Sequence, residues 1–195
     1  MKILIIHPKD SSTDFLKPIY QSLIDDNGPG VGHLITLITG GMSKSRVRLL
    51  IEEYDQIIML GHGSPGGLFS MGNFENTQGS YIIDETMLTS LGTKPNIFIW
   101  CHADRFVNKY YLKGFYSGMF ISEVTEAEYE GLHDITQEIV DKSNNTFAKI
   151  LGNWINQPME EMYRYVKDRY AMFALDDNNP NPVTIYNANR LYYKK

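Results

Sequence analysis

The sequence predicts an α/β domain, a three-layer sandwich in which helices cover both faces of a mostly parallel sheet. Short continuous apolar runs stand at 2–7 (KILIIH), 33–39 (HLITLIT), 56–60 (QIIML) and 96–100 (NIFIW). Each is too short for a helix and apolar enough for a strand buried on both faces. Between them lie stretches with apolar residues at helical spacing. Strands that alternate with helices are expected to form a parallel sheet, because a crossover is needed to return the chain in the same direction.

The elements follow in order. Pro8 closes the first run, and Phe15, Leu16, Ile19, Tyr20, Leu23 and Ile24 then recur at helical spacing until Gly28. Pro18 falls inside that pattern, where it marks either a later helix start or a kink. Gly40-Gly41 end the second strand. Ser43 is placed to cap a helix with Val47, Leu50, Ile51 and Tyr54 on its inner face. Strand 56–60 runs into Gly61-His62-Gly63. A glycine-rich stretch to Asp84 reads as a hairpin or loop excursion, and a short helix spans Glu85–Leu91. Strand 96–100 runs into Cys101. A polar, tyrosine-rich link then leads to GMFISEV (118–124), predicted as a fifth strand. Thr125 to Glu128 fits a capping box opening a long helix. Two further helical patterns follow, the second started by Pro158, and VTIYNANRLYY reads as a last strand.

At 195 residues the chain is expected to form a single domain over 1–195 with a core that needs no disulfide or metal. The formal charge of −5 is a mild acidic excess, and no basic stripe points to nucleic acid. Lys44, Arg46 and Arg48 read as the solvated face of a helix. The apolar run at the start is shorter than a signal peptide's core of roughly 7–15 residues, and no stretch reaches membrane-spanning length. A single cysteine favours a reducing compartment, so a cytoplasmic protein is expected.

In a parallel sheet, reactive groups gather just past the carboxyl ends of the strands. The loops after His7, Gly40, Leu60, Trp100 and Val124 are therefore expected along one edge. That places His62 and Cys101 side by side if their strands are neighbours. A cysteine nucleophile needs a thiolate, a histidine to handle the proton, and two donors for the developing oxyanion. Gly63, which lets a carbonyl approach closely, and the N–H of Cys101 itself are candidate donors. The bland alternative is a buried packing cysteine beside an ordinary turn.

The order of these pieces, IIMLGHG (57–63) and then NIFIWC (96–101), resembles the caspase-like cysteine peptidases, the group of caspases, gingipains, clostripain, legumain and separase. The resemblance implies a caspase-like fold and acyl transfer through a thioester, with His62 as general base, Cys101 as nucleophile, and Gly63 and Cys101 as oxyanion donors. The implied partner is a protein or peptide substrate. Trp100 stands where the group usually has a small residue, and an indole there either reshapes the pocket or fills it. His7, Asp10, Trp100, Asp104 and Glu123 are candidate substrate-pocket residues.

Other chemistries find less in the sequence. There is no G-x-S-x-G elbow, no dinucleotide fingerprint after the first strand, and GPGVG (28–32) precedes a strand rather than a helix. His62, Cys101 and His102 lack the spacing of a metal site, so neither metal nor cofactor is expected. The competing reading is a non-catalytic caspase-like or Rossmann-like module for binding or scaffolding. The sequence leaves the oligomeric state open.

Overall fold

A computed structural model of the chain describes residues 1–26, 34–75, 77, 80–92, 94–175 and 180–195. GPGVG, His33 and residues 176–179 lie outside the described residues. In β1 (Lys2–Ile6), Ile3 to Ile6 are all buried, as a strand covered on both faces requires. Asp10 then caps a 3-10 turn, Ser11–Leu16, accepting from the Ser12 N–H. Pro18 opens α1 (Pro18–Asp26), so it is a helix start and not a kink. Its missing N–H falls in the first turn, where no internal acceptor is lost.

β2 (Leu34–Ile38) is followed by α2 (Lys44–Glu53), capped by Ser43 Oγ accepting from the Arg46 N–H. Val47, Leu50 and Ile51 turn inward, while Arg46 and Arg48 are exposed and Lys44 pairs with Asp84. β3 (Gln56–Leu60) is buried throughout. The glycine-rich excursion is a small antiparallel sheet of β4 (Gly63–Ser64), β5 (Gly67–Phe69) and β6 (Tyr81–Ile83). A 3-10 turn leads into α3 (Leu88–Leu91) and then β7 (Asn96–Ile99).

Beyond β7 the structure corrects the sequence reading. The tyrosine-rich link holds α4 (Ala103–Lys109), and the fifth parallel strand is β8 (Gly114–Ser117) rather than 118–124. Residues 118–123 leave the ladder. The Ile121 N–H and C=O are both taken by the Asn187 side-chain amide, at 2.8 and 2.9 Å, instead of by a neighbouring strand. Phe120 and Ile121 bury from this loop, which is why the segment looks like a strand in sequence.

α5 (Val124–Tyr129) is one short helix, and its capping box is Glu123 with Glu126, not Thr125 with Glu128. α6 (Gln137–Trp154), capped by Thr136, and α7 (Met159–Leu175) are the long helices. The expected last strand is divided between α8 (Pro182–Ala188) and β9 (Leu191–Lys194).

The six-stranded sheet has the order β2-β1-β3-β7-β8-β9, parallel except for β9. Alternate residues feed two cores. Ile5, Ile58, Leu60, Ile97 and Ile99 face α1, α6 and α7. Leu4, Ile57, Met59, Phe98 and Trp100 face α2, α3 and α4. The fold is thus a mostly parallel sheet flanked by helices. No described helix is long and apolar enough to cross a membrane.

Candidate active site

β3 and β7 are parallel neighbours, with Leu60 opposite Ile99. Leu60 and Ile99 both point to the α1/α6 side. Strand alternation returns the chain to that side two residues on, at His62 and Cys101. The two residues line one small cavity of about 20 Å³, together with Thr13, Phe15, Phe120 and Ser122. They share a wall without hydrogen bonding to each other, and each has other partners.

On the β3 side, His62 Nε2 lies 2.7 Å from Ser12 Oγ. Ser12 Oγ is in turn 2.8 Å from Asp10 Oδ1, which also accepts the Ser12 N–H. Asp10 Oδ2 stands 3.9 Å from Nε2. When Nε2 carries the proton, it donates to Ser12 Oγ, and Ser12 passes its own hydrogen bond to Asp10. The backbone hydrogen bond from Ser12 is the largest factor holding the Asp10 carboxyl below its usual value. Gly61, at φ 139°, makes the turn that delivers His62. Ser12 is a site residue that the sequence reading missed. Its signal was the Asp10-Ser11-Ser12 order, an Asx-turn just past a strand.

On the β7 side, part of Cys101 reaches solvent, but its sulfur is enclosed by protein. The thiol donates to the Phe120 carbonyl at 3.5 Å and to Glu126 Oε1 at 3.7 Å. Burial pushes its pKa up to about 12, and the Glu126 carboxylate adds to the shift. Glu126 is itself fixed, because Oε2 accepts from the N–H and hydroxyl of Ser122 and from the Glu123 N–H. The next residue, His102, adopts a left-handed conformation at φ 66° and turns the chain into α4.

Gly63 and Trp100 meet on the opposite side of the sheet. A Cβ on Gly63 would sit 2.3 Å from Trp100 Cδ1, so the glycine makes room for the indole. Trp100 Nε1 donates to the Ser64 carbonyl at 3.1 Å, and its ring packs edge-on against Phe98 and Phe106. Trp100 borders the cavity, but its indole does not fill it. The Phe69 N–H donates to the His62 carbonyl, which makes Gly63–Leu68 the non-hydrogen-bonded pair. The Gly63 N–H therefore points away from β5.

The remaining pocket candidates divide. Asp10 stands beside His62, and Glu123 lines a neighbouring cleft. His7 does not line the small cavity. It is buried, its ring nitrogens are used by Tyr20 and Thr13 at 3.0 and 3.1 Å, and desolvation lowers its pKa to about 4. It is a neutral structural residue. Asp104 stands in the first turn of α4 and does not line the small cavity. Among the described residues, no group of three His, Cys, Asp or Glu side chains is placed to hold a metal ion. No protein-family model matches the sequence, and no curated protein sequence is significantly similar to it.

Proposed function

We propose that this chain is a caspase-like cysteine endopeptidase in a resting arrangement, with Cys101 as nucleophile and His62 as general acid–base. The observation that carries this reading is that both residues end adjacent parallel strands on one face and line one cavity. In the reaction, the Cys101 sulfur attacks the scissile carbonyl carbon while His62 accepts the thiol proton. The Gly63 and Cys101 N–H groups stabilise the oxyanion. The tetrahedral intermediate expels the amine, which takes its proton from His62, and water then hydrolyses the thioester with His62 as base.

The resting features are specific. A cavity of about 20 Å³ holds little more than a water molecule. Phe15 and Phe120, stacked 6.5 Å apart, stand at its wall. Turnover requires the thiol to leave Phe120 and Glu126 and to reach His62. A free thiol of this kind fits a reducing, cytoplasmic setting.

A panel of peptidyl electrophiles tests the reading. Native protein is expected to form one covalent adduct, lost in Cys101→Ala and slowed at least about 100-fold in His62→Ala. Equal absence of adducts and peptide turnover in native protein and Cys101→Ala overturns it.

The enclosed, protonated thiol favours a second reading, a non-catalytic binding or scaffold module on the same fold. That reading expects Cys101 alkylation to accelerate only as the pH approaches about 12, with no adduct from any peptidyl electrophile.

A further inference from the structure

The two edges of the six-stranded sheet are finished differently. β9 carries Lys194 within the strand and Lys195 just after it, and Lys194 Nζ sits over the Tyr111 ring at 5.3 Å. Charged side chains of this kind discourage a sheet edge from taking up another strand. β2, at the opposite edge, reads Leu-Ile-Thr-Leu-Ile, with no charge, no proline and an unbroken register against β1. Leu34 and Leu37 are 56% and 39% exposed, and among the described residues no strand pairs with β2 on its outer side.

The hydrogen bonds of β2 fix which backbone groups face outward. The Leu34 N–H donates to the Met1 carbonyl, and the Ile38 carbonyl accepts from the His7 N–H, so both residues turn their backbone toward β1. Alternation along the strand gives Thr36 the same direction and turns the N–H and C=O of Ile35 and Leu37 outward. The outward groups are therefore symmetric about Thr36, and such a strand is its own complement when reversed.

We infer that β2 pairs with β2 of a second copy of this chain, antiparallel about a two-fold axis at Thr36, so that the sheet runs on across the dimer. In that register Ile35 exchanges both backbone hydrogen bonds with Leu37 of the second copy, and Leu37 does the same with its Ile35. Thr36 meets Thr36 as the non-hydrogen-bonded pair, and Leu34 lies opposite Ile38. Every cross-strand pair is then apolar, or threonine with threonine, and no like charges meet. The two-fold axis supplies this match with no second sequence required. Pairing along five residues is small for an interface, so the dimer is expected as a reversible equilibrium in about the micromolar range. β1 separates β2 from the strands that lead to His62 and Cys101, and the inference does not rest on the peptidase reading.

Sedimentation velocity on the full chain, from about 1 to about 200 µM, is expected to show a monomer giving way to a dimer. Leu37→Pro removes one outward N–H from each copy and no hydrogen bond to β1, so it should fold and weaken the dimer at least about 10-fold. Leu37→Lys installs the kind of edge charge that β9 already carries. It should act in the same direction, and it serves if Leu37→Pro fails to fold. Thr36→Cys in a Cys101→Ala background, which removes the native thiol, reads the register. The two-fold axis sets the new cysteines opposite each other with Cα atoms about 4.5 Å apart, within disulfide range. Mild oxidation should give one cross-linked species of twice the chain mass, reversed by dithiothreitol.

Loss of the dimer in the Leu37 variants, together with the Thr36→Cys disulfide, supports the inference. A native chain that stays monomeric across the range overturns it. So does a dimer that persists unchanged in Leu37→Pro and Leu37→Lys, because the contact then lies elsewhere on the surface. A dimer that both variants dissociate, but that forms no Thr36→Cys disulfide, overturns the two-fold register.

Discussion

At the end of β3, the His62 side chain keeps about a quarter of its surface (26%) in solvent and joins a hydrogen-bonded run through Ser12 to Asp10. At the end of β7, 39 residues on, the Cys101 sulfur is enclosed and faces a backbone carbonyl and a carboxylate. Two equivalent places on one sheet edge thus have opposite proton chemistry. The histidine end is wired to pass a proton along, whereas the cysteine end is arranged to keep one. A thiolate needs a positive neighbour or a well-placed donor, and Glu126 has the wrong sign. Strand-end position brings the pair together, while the loops after β1 and β8 decide its protonation.

The largest expected effect comes from the contact the two ends share. Gly63→Ala puts a Cβ into the Trp100 indole and 2.6 Å from the Gly67 carbonyl oxygen. It is expected to destabilise the fold by about 1–3 kcal/mol, read as a lower urea midpoint at unchanged m-value. A wild-type midpoint would show that the two ends are not braced against each other.

Glu126→Gln acts on the cysteine end alone. The folded thiol, pushed up to about 12, lies above its ordinary value of 9.0, so removing a negative neighbour lowers it. Burial remains, so the value stays above 9.0. Alkylation of Cys101 should therefore become faster near pH 9 than in the native chain. Linkage gives the matching stability effect. The unfolded thiol ionises first, so the native protein loses stability from about pH 9 toward 12, and the variant narrows that window. Unchanged alkylation would assign the whole shift to burial.

The smallest effect is expected from Ser12→Ala, which cuts the run between Asp10 and His62 at a partly exposed position. The unfolding free energy, read from the urea midpoint at unchanged m-value, should fall by no more than about 1 kcal/mol. A loss as large as that of Gly63→Ala would mean that the Asp10–Ser12–His62 run carries the fold rather than only orienting the imidazole.

β1, β3 and β7 were legible in the sequence because each is a continuous apolar run closed by Pro8, Gly61 or Cys101. The cap at Ser43 is local and equally readable, whereas the sequence left Pro18 open between a helix start and a kink. The fifth strand was not. GFYS and GMFISEV are both short and apolar, and the choice between them is made by Asn187, 66 residues from Ile121. The capping box shifted for a similar reason, since Glu123 and Glu126 compete with Thr125 and Glu128 for the same turn.

At the site, His62 and Cys101 were readable from strand context, and their neighbours were not. Ser12 reaches His62 across 50 residues, and Glu126 reaches Cys101 across 25. Trp100 misled because its side of the strand, not its size, decides what it fills.

The pairing of β8 with β9 joins Gly114 to Lys194, residues 80 apart in sequence (194 − 114), the longest separation among the sheet's described pairings. The same pairing brings Asn187 to Ile121 and the Arg190 carbonyl to the Gly118 N–H, which hold the loop against the Cys101 sulfur. Closing so long a loop costs chain entropy before any contact repays it. The thiol's surroundings are therefore tied to the entropically most expensive closure in the sheet, while the histidine's partners arrive with a turn only a few residues past β1.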